Sequence, residues 1–488
     1  MLHLAQSYEK TIRLIEEIKI RFKHIALCIF VAMAWFLFFF WLGISLILLR
    51  KLSFFKESTI RPMPLSFLFL LKVLAGIIVT LIYTYYYTDR STADMYKYLD
   101  DAQVIASALP NHPTHYLKLM TGIDENAPEL TPYYSEMHNW SLHSETWFEY
   151  TQTKDFNLFS SNRIITRFNA LLWPVTQGNI FTHVIFMCFI SFSGLIALFK
   201  LLIHYHPERK TRLVLLIFLW PSVLLWTSGV LKDGLIVAAF YLMIYWLDKF
   251  ISKSGNRIVL FLAIVLALIL LLITKYYVVV ACIPALIAWM INHFRLTIPA
   301  FRMQLLVLGI CFITLIKMSY SGLNPDVISM LHDKREESLK AAILGNARNQ
   351  LFVDNADPGI AGFIRKIPEA ISTGLIRPFI GEGIQSPLIL ISSLENVLLL
   401  LLLLGALIFP VKELGKDSYI WLLISYSLCL AFIIGFTTPV TGGIVRYKTA
   451  FLPALLAALS CMINEAKIPR IGYFESIKKR SQLWLFTT

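Results

Sequence analysis

Five short stretches carry the side chains that can do chemistry. The first, Asp89-Arg90-Ser91-Thr92-Ala93-Asp94-Met95-Tyr96, follows directly on a long apolar run. A carboxylate there can serve as general base toward a hydroxyl, or bind a divalent cation. The alternative is a solvated loop that starts a helix, with Asp94 near its N-terminus. In the second, Arg163 and Arg167 lie four residues apart, on one face of a helix. Two guanidiniums so placed suit a phosphate or diphosphate headgroup, or anchor a helix by snorkelling. The third runs from Trp220-Pro221-Ser222 through Ser228-Gly229 to Lys232-Asp233-Gly234. Proline frees a helix carbonyl, and ionisable residues at a broken intramembrane helix are functional candidates. A tight hairpin with a paired Lys-Asp is the other reading, and Lys275 lies at the next turn. The fourth is Arg377-Pro378-Phe379 with Gly381-Glu382, followed by Glu395-Asn396 inside an apolar run. The fifth is Gly442-Gly443 with Arg446-Tyr447-Lys448. Its glycines let backbone approach a ligand closely, or simply make the turn.

The elements that must position these groups are membrane helices. Of 488 residues, 57% are hydrophobic and 15% charged, and the mean hydropathy is +0.66. Those values exclude an ordinary soluble enzyme and a disordered chain. Apolar runs at 25–49, 65–87, 180–203, 213–228, 234–247, 258–273, 277–291, 303–318, 387–409, 419–436 and 449–463 predict an all-α polytopic integral membrane protein with about 11 transmembrane helices. The stretch 164–173 is too short to span and reads as interfacial or re-entrant. Basic residues fix the sidedness. Arg50, Lys51, Lys56 and Arg61, then Arg209, Lys210 and Arg212, then Lys249, Lys253 and Arg257, then Lys412 and Lys416 mark cytoplasmic connections. The C-terminus is then cytoplasmic. Counting back puts the N-terminus outside, whereas Lys10, Arg13, Lys19, Arg21 and Lys23 argue for inside. The division is a basic N-terminal segment 1–24, a helical membrane domain 25–463 and a basic tail 464–488. Two long extracytoplasmic loops, 88–179 and 319–386, are expected, and function concentrates in such loops.

The formal charge of +13 comes from 44 Lys and Arg against 31 Asp and Glu. Membrane topology accounts for it, and no nucleic-acid module is present. The lead is not a cleavable signal, because its apolar run is too long and no A-x-A site follows. All six cysteines lie inside apolar runs, without zinc or disulfide spacing. His112, His115, His138 and His143 lack further ligand spacing. Tyr133, Tyr134, Trp140 and Trp147 suit an interfacial belt or sugar stacking. There is no Gly-rich phosphate loop, G-x-S-x-G or H-E-x-x-H.

The segments PSVLLWTSGVLKDGL (221–235), LIRPFIGEG (375–383) with SSLEN (392–396), and GGIVRYKTAFLP (442–453) resemble polytopic bacterial surface-polysaccharide membrane proteins. These are loosely GT-C-type glycosyltransferases and O-antigen-polymerase-like proteins. SNRIITRFNALL (161–172) and DRSTADMY (89–96) fit the same likeness, as scattered motifs over roughly 65–453. The resemblance implies a glycosyltransferase or glycan polymerase of the bacterial inner membrane. Its substrate is a polyprenyl-phosphate or polyprenyl-diphosphate sugar used at the extracytoplasmic face. Asp94, with Asp89 as substitute, takes the role of base or metal site; no other cofactor is implied. Arg163, Arg167, Arg377 and Arg446, with Lys232, hold the phosphate; Asp233, Lys275 and Glu382 support them. The implied partners are the lipid bilayer, the lipid-linked sugar and other polysaccharide-assembly proteins, with no nucleic acid. Two alternatives are a transporter or flippase of lipid-linked glycan and a non-catalytic membrane scaffold.

Overall fold

A chain in lipid must satisfy its backbone polar groups internally, and here it does so with helices. The computed structural model describes residues 31–85, 90, 93–140, 161–295, 298–321, 326–344, 347, 349–351, 359–382, 386–467, 482 and 484–486. Segment 1–24, Asp89, His143, Trp147 and most of the tail beyond 467 lie outside the described residues. Among those described there is no strand, only three isolated bridges.

The described residues begin with α1 (Val31–Lys51) and α2 (Pro62–Tyr85). It then builds a small helical cap from α3 (Asp94–Asn111), α4 (Pro113–Thr121), α5 (Thr131–Glu136) and α6 (Ser161–Thr176). In α3, Met95, Leu99, Ala102, Ile105 and Ala106 recur at three- and four-residue spacing and are buried. Ala102, Ile105, Leu119, Leu130, Met137 and Ala170 form the core of the cap. Gly122 ends α4 in the left-handed conformation, φ 73°. Helix α6 covers the partly apolar stretch at 164–173. Its 16 residues reach about 24 Å, short of the roughly 30 Å hydrocarbon core.

The central bundle follows: α7 (Ile180–Tyr205), α8 (Lys210–Phe218), α9 (Pro221–Trp226), α10 (Lys232–Ile251), α11 (Arg257–Arg295) and α12 (Ala300–Ser321). Then come α13 (Val327–Leu344), α14 (Ile360–Ile376), α15 (Pro387–Ile408), α16 (Ser418–Thr437), α17 (Thr441–Tyr447) and α18 (Leu452–Met462). Among the described residues, eight helices are long and apolar enough to cross a membrane. The pair 441–450 and 452–462, bent by 63°, makes a ninth if counted as one span. Helix α7 is the most enclosed, whereas α1 and α12 lie at the rim with wide apolar faces.

One apolar run is split, and two others are joined through a break that keeps them as separate limbs. Run 213–228 is split into α8 and the six-residue α9, because Pro221 cannot continue the ladder. Runs 258–273 and 277–291 form the single long α11, broken at Lys275 (φ −150°, ψ 81°). The break reverses the chain. Arg257 lies 5.0 Å from the Phe250 ring, and Trp289 packs 5.4 Å from Tyr419, which hydrogen-bonds Asp248. Phe250 and Asp248 are near neighbours, whereas 32 residues of straight helix would separate Arg257 from Trp289 by about 48 Å. The two limbs of α11 therefore end at the same end of the bundle.

That end also holds the basic connections. Lys200 bonds Glu57 at 2.7 Å, with Lys249 at 3.6 Å. The Lys200 hydrogen bond, opposed by partial burial and aided by the charges of both lysines, holds the Glu57 carboxyl below its usual range. The C-terminal residues Leu485 and Phe486 return to this end: Arg61 N–H donates to Leu485 O, and Phe486 stacks on Phe199. The cap, α13, α14 and the turn at Lys275 gather at the opposite end. The described parts of the two long loops of the sequence therefore share one end.

Candidate functional site

Five charged residues named from the sequence converge at the loop-bearing end. Asp94 opens α3, Lys232 and Asp233 open α10, Lys275 is the break in α11, and Arg446 lies in the short α17. Arg446 is the hub. Its Nε donates to Asp233 Oδ2 at 2.6 Å and its NH1 to Asp94 Oδ2 at 2.8 Å. Lys275 Nζ donates to the other Asp233 oxygen at 3.0 Å and sits 4.0 Å from the Tyr447 ring. Lys232 Nζ donates instead to neutral oxygens, Ser161 Oγ at 2.9 Å and Asn162 Oδ1 at 2.7 Å. Tyr98 also donates to Asn162 Oδ1, at 3.1 Å. Helix α6 thus positions Lys232 through its first turn.

The two carboxylates differ in setting. The Asp233 side chain is 3% exposed and has a cation on each oxygen. The Asp94 side chain is 46% exposed at the mouth. Burial of its surroundings pushes the Asp94 carboxyl up. The charges of Arg446, Lys232 and Lys97, with the Arg446 hydrogen bond, outweigh that and hold it below its ordinary 3.8. The Tyr98 phenol is held well above its ordinary value by burial and by the Asp94 charge.

The remaining candidates sit elsewhere. Arg163 pairs with Glu125 and lies 4.7 Å from the Trp140 ring. Arg167 Nε donates to Leu119 O at 2.9 Å. Both hold the cap together, an arrangement the sequence did not reveal, since Glu125 lies 38 residues before Arg163 in an ordinary polar loop. Asp101 does similar work: burial raises its carboxyl, while bonds from Asn139 and His138 oppose the shift. Arg377 lies 3.5 Å from Glu382 and lines a separate cleft with Arg335, Lys366, Glu369 and Thr373. His112 stacks on His115. Among the described residues no three His, Cys, Asp or Glu gather as a metal site. Among the described residues the carboxylates at this site are Asp94 and Asp233, and both bond Arg446.

A second polar cluster lies within the bundle. Glu395 accepts from Ser222 N–H at 2.6 Å and from the Ser222 hydroxyl, at the first turn of α9. Lys448 Nζ donates to Asn396 Oδ1 and to Arg377 O, each at 2.8 Å. At the other end of α9, Lys72 donates to Thr227 Oγ1 at 2.6 Å and is 1% exposed. Lys72 was missed in the sequence reading, although a lone lysine inside the run at 65–87 is itself a signal.

No protein-family model, curated protein or solved structure matches the chain.

Proposed function

We propose that the protein is an integral membrane glycosyltransferase or glycan polymerase. It takes a polyprenyl-phosphate or polyprenyl-diphosphate sugar at the extracytoplasmic face, in bacterial surface-polysaccharide synthesis. One observation carries the reading: an exposed carboxylate, Asp94, stands beside Arg446 and Lys232, braced by buried Asp233 and Lys275, at the end where both long loops gather. The acceptor hydroxyl gives its proton to Asp94. Its oxygen bonds to the sugar's anomeric carbon as the bond from that carbon to the phosphate oxygen breaks. The lipid phosphate leaves with the electron pair, and Arg446 and Lys232 meet its growing charge from pre-set positions.

A second reading, a flippase of lipid-linked glycan, is favoured by Lys72 and Glu395, which place charge inside the bundle. The deciding experiment is the surface-glycan profile of a deletion strain complemented with wild type, Asp94→Asn or Arg446→Gln, each checked for expression. The transferase reading expects a changed profile that neither variant restores. Purified protein in liposomes with a lipid-linked sugar and an acceptor must then form a glycosidic bond. Movement of the donor across the bilayer without bond formation replaces it with the flippase. An unchanged profile on deletion removes both.

A further inference from the structure

Arg446 holds two carboxylates that differ in what happens when the bond is broken. Releasing Asp233 would leave a carboxylate 3% exposed with one cation in place of two. Releasing Asp94 leaves a carboxylate 46% exposed, which water can solvate. A phosphate arriving at the mouth offers several acceptor oxygens in the geometry a guanidinium favours. It therefore displaces Asp94 from NH1 and leaves Asp233 on Nε. Lys232 is the second point of attachment, because its ammonium is held by the neutral oxygens of Ser161 and Asn162 and, among the described residues, no carboxylate bonds it.

We infer that Asp94 and the phosphate of an anionic lipid donor compete for the same face of Arg446, so that donor binding frees Asp94 to meet the acceptor. The inference rests on the phosphate-donor reading of this site and adds an order to it, donor first. In the resting state Arg446 covers Asp94, so the base is withheld until the leaving group is in place. That order protects against proton abstraction with no donor bound. A site in which Asp94 held the phosphate through a metal ion would behave in the opposite sense.

The test is binding of farnesyl diphosphate and of inorganic pyrophosphate to full-length protein in phosphatidylcholine nanodiscs, by calorimetry. The proteins are wild type, Asp94→Asn, Arg446→Gln and the double variant, with Asp94→Ser as a second way to remove the competing charge. Asp94→Asn and Asp94→Ser are expected to bind farnesyl diphosphate about tenfold more tightly than wild type, since a charge-assisted competitor is gone. Arg446→Gln is expected to bind at least about tenfold more weakly, and Asp94→Asn to add nothing in that background, because the gain acts through Arg446. An equal gain for pyrophosphate supports competition by the headgroup alone; a gain confined to farnesyl diphosphate supports it with the lipid chain needed for docking. Tighter binding that persists in the Arg446→Gln background overturns the inference. So does binding that is unchanged or weaker in both Asp94 variants. If farnesyl diphosphate binds neither wild type nor the Asp94 variants, the phosphate-donor reading fails, and the competition with it.

Discussion

Replacing Asp233 by asparagine should cost far more stability than replacing Asp94, although both bond the same arginine. Asp233→Asn keeps the shape but removes the charge between Lys275 at 3.0 Å and Arg446 at 2.6 Å. Those cations are 8% and 13% exposed. Removing one partner of a buried ion pair costs about 3–5 kcal/mol, because the other charge stays desolvated. Removing Asp94 leaves Arg446 its bond to Asp233, and the carboxylate is 46% exposed, so the loss lies nearer the roughly 0.2–1 kcal/mol of surface pairs. The expected gap is therefore roughly 2–5 kcal/mol. The assay is thermal challenge of detergent-purified protein followed by size-exclusion chromatography, read as an order of apparent midpoints. Asp94→Asn should run slightly below wild type and Asp233→Asn well below both. Asp233→Asn/Lys275→Met should recover part of the loss, since it also removes a stranded cation. Equal midpoints for the two single variants would refute the division into an exposed reacting carboxylate and a buried brace.

Other outcomes follow from the same contacts. At Gly435 a Cβ would meet the Ala370 carbonyl, and at Gly374 the Ala431 carbonyl, where α14 crosses α16. Gly435→Ala should cost about 1–3 kcal/mol of overpacking, and Gly381→Ala, with nothing within 4 Å, none; a melt that does not separate them contradicts the close crossing. Arg163→Ala should open the cap, because it strands Glu125 and uncovers Trp140; protease cleavage within 94–140 should rise while the bundle stays intact. Lys72→Met should melt close to wild type, because relief of the desolvation of a buried ammonium that bonds no carboxylate among the described residues offsets the loss of its place at the end of α9, and Thr227 keeps its bond to Val223 O at 2.6 Å. The Asp94 carboxyl is held below 3.8, so its ion pair contributes fully above that pH and is lost as pH falls through the lower folded value. Wild type and Asp94→Asn should accordingly keep a constant midpoint difference from pH 5 to 8 and converge in stronger acid.

The spans were legible because hydropathy acts locally: a long apolar run in lipid has no choice but helix. The expected sidedness of the two long loops rests on alternating Lys and Arg. The split of 213–228 was less so, since the proline was visible but not how short the helix after it would be. The site was readable as a set of oddities and not as an assembly. Asp94 and Arg446 meet across 352 residues, and Asp233 and Arg446 across 213, separations over which no periodicity operates. Arg163 and Arg167 show the limit of spacing in another way. Their spacing announced a shared face, but what that face met was Glu125, Trp140 and a backbone carbonyl of the cap.

The placement of charge bears on which functional reading is stronger. Lys232 and Asp233 follow the break after α9, Lys275 is itself a break, and Arg446 precedes the bend into α18. A charge at a helix break near one end can be hydrated from that end and need not bear the full cost of membrane burial. Three of those four groups, Asp233, Lys275 and Arg446, are paired with one another, which offsets part of the cost of holding them charged for an anionic substrate. Lys72 and Glu395 are deeper, and a transporter would need them to exchange partners. Each instead occupies one end of α9: the carboxylate receives the Ser222 N–H at its start, and the ammonium sits on Thr227 at its finish. A six-residue helix inside the bundle leaves most of its terminal N–H and C=O groups without helical partners, and these ends favour that pairing of signs. The deep charges are accounted for by the helix they hold, so they give the flippase reading less support than their depth alone suggests. The charges left to act on a substrate are those at the mouth, which is where a transferase would need them.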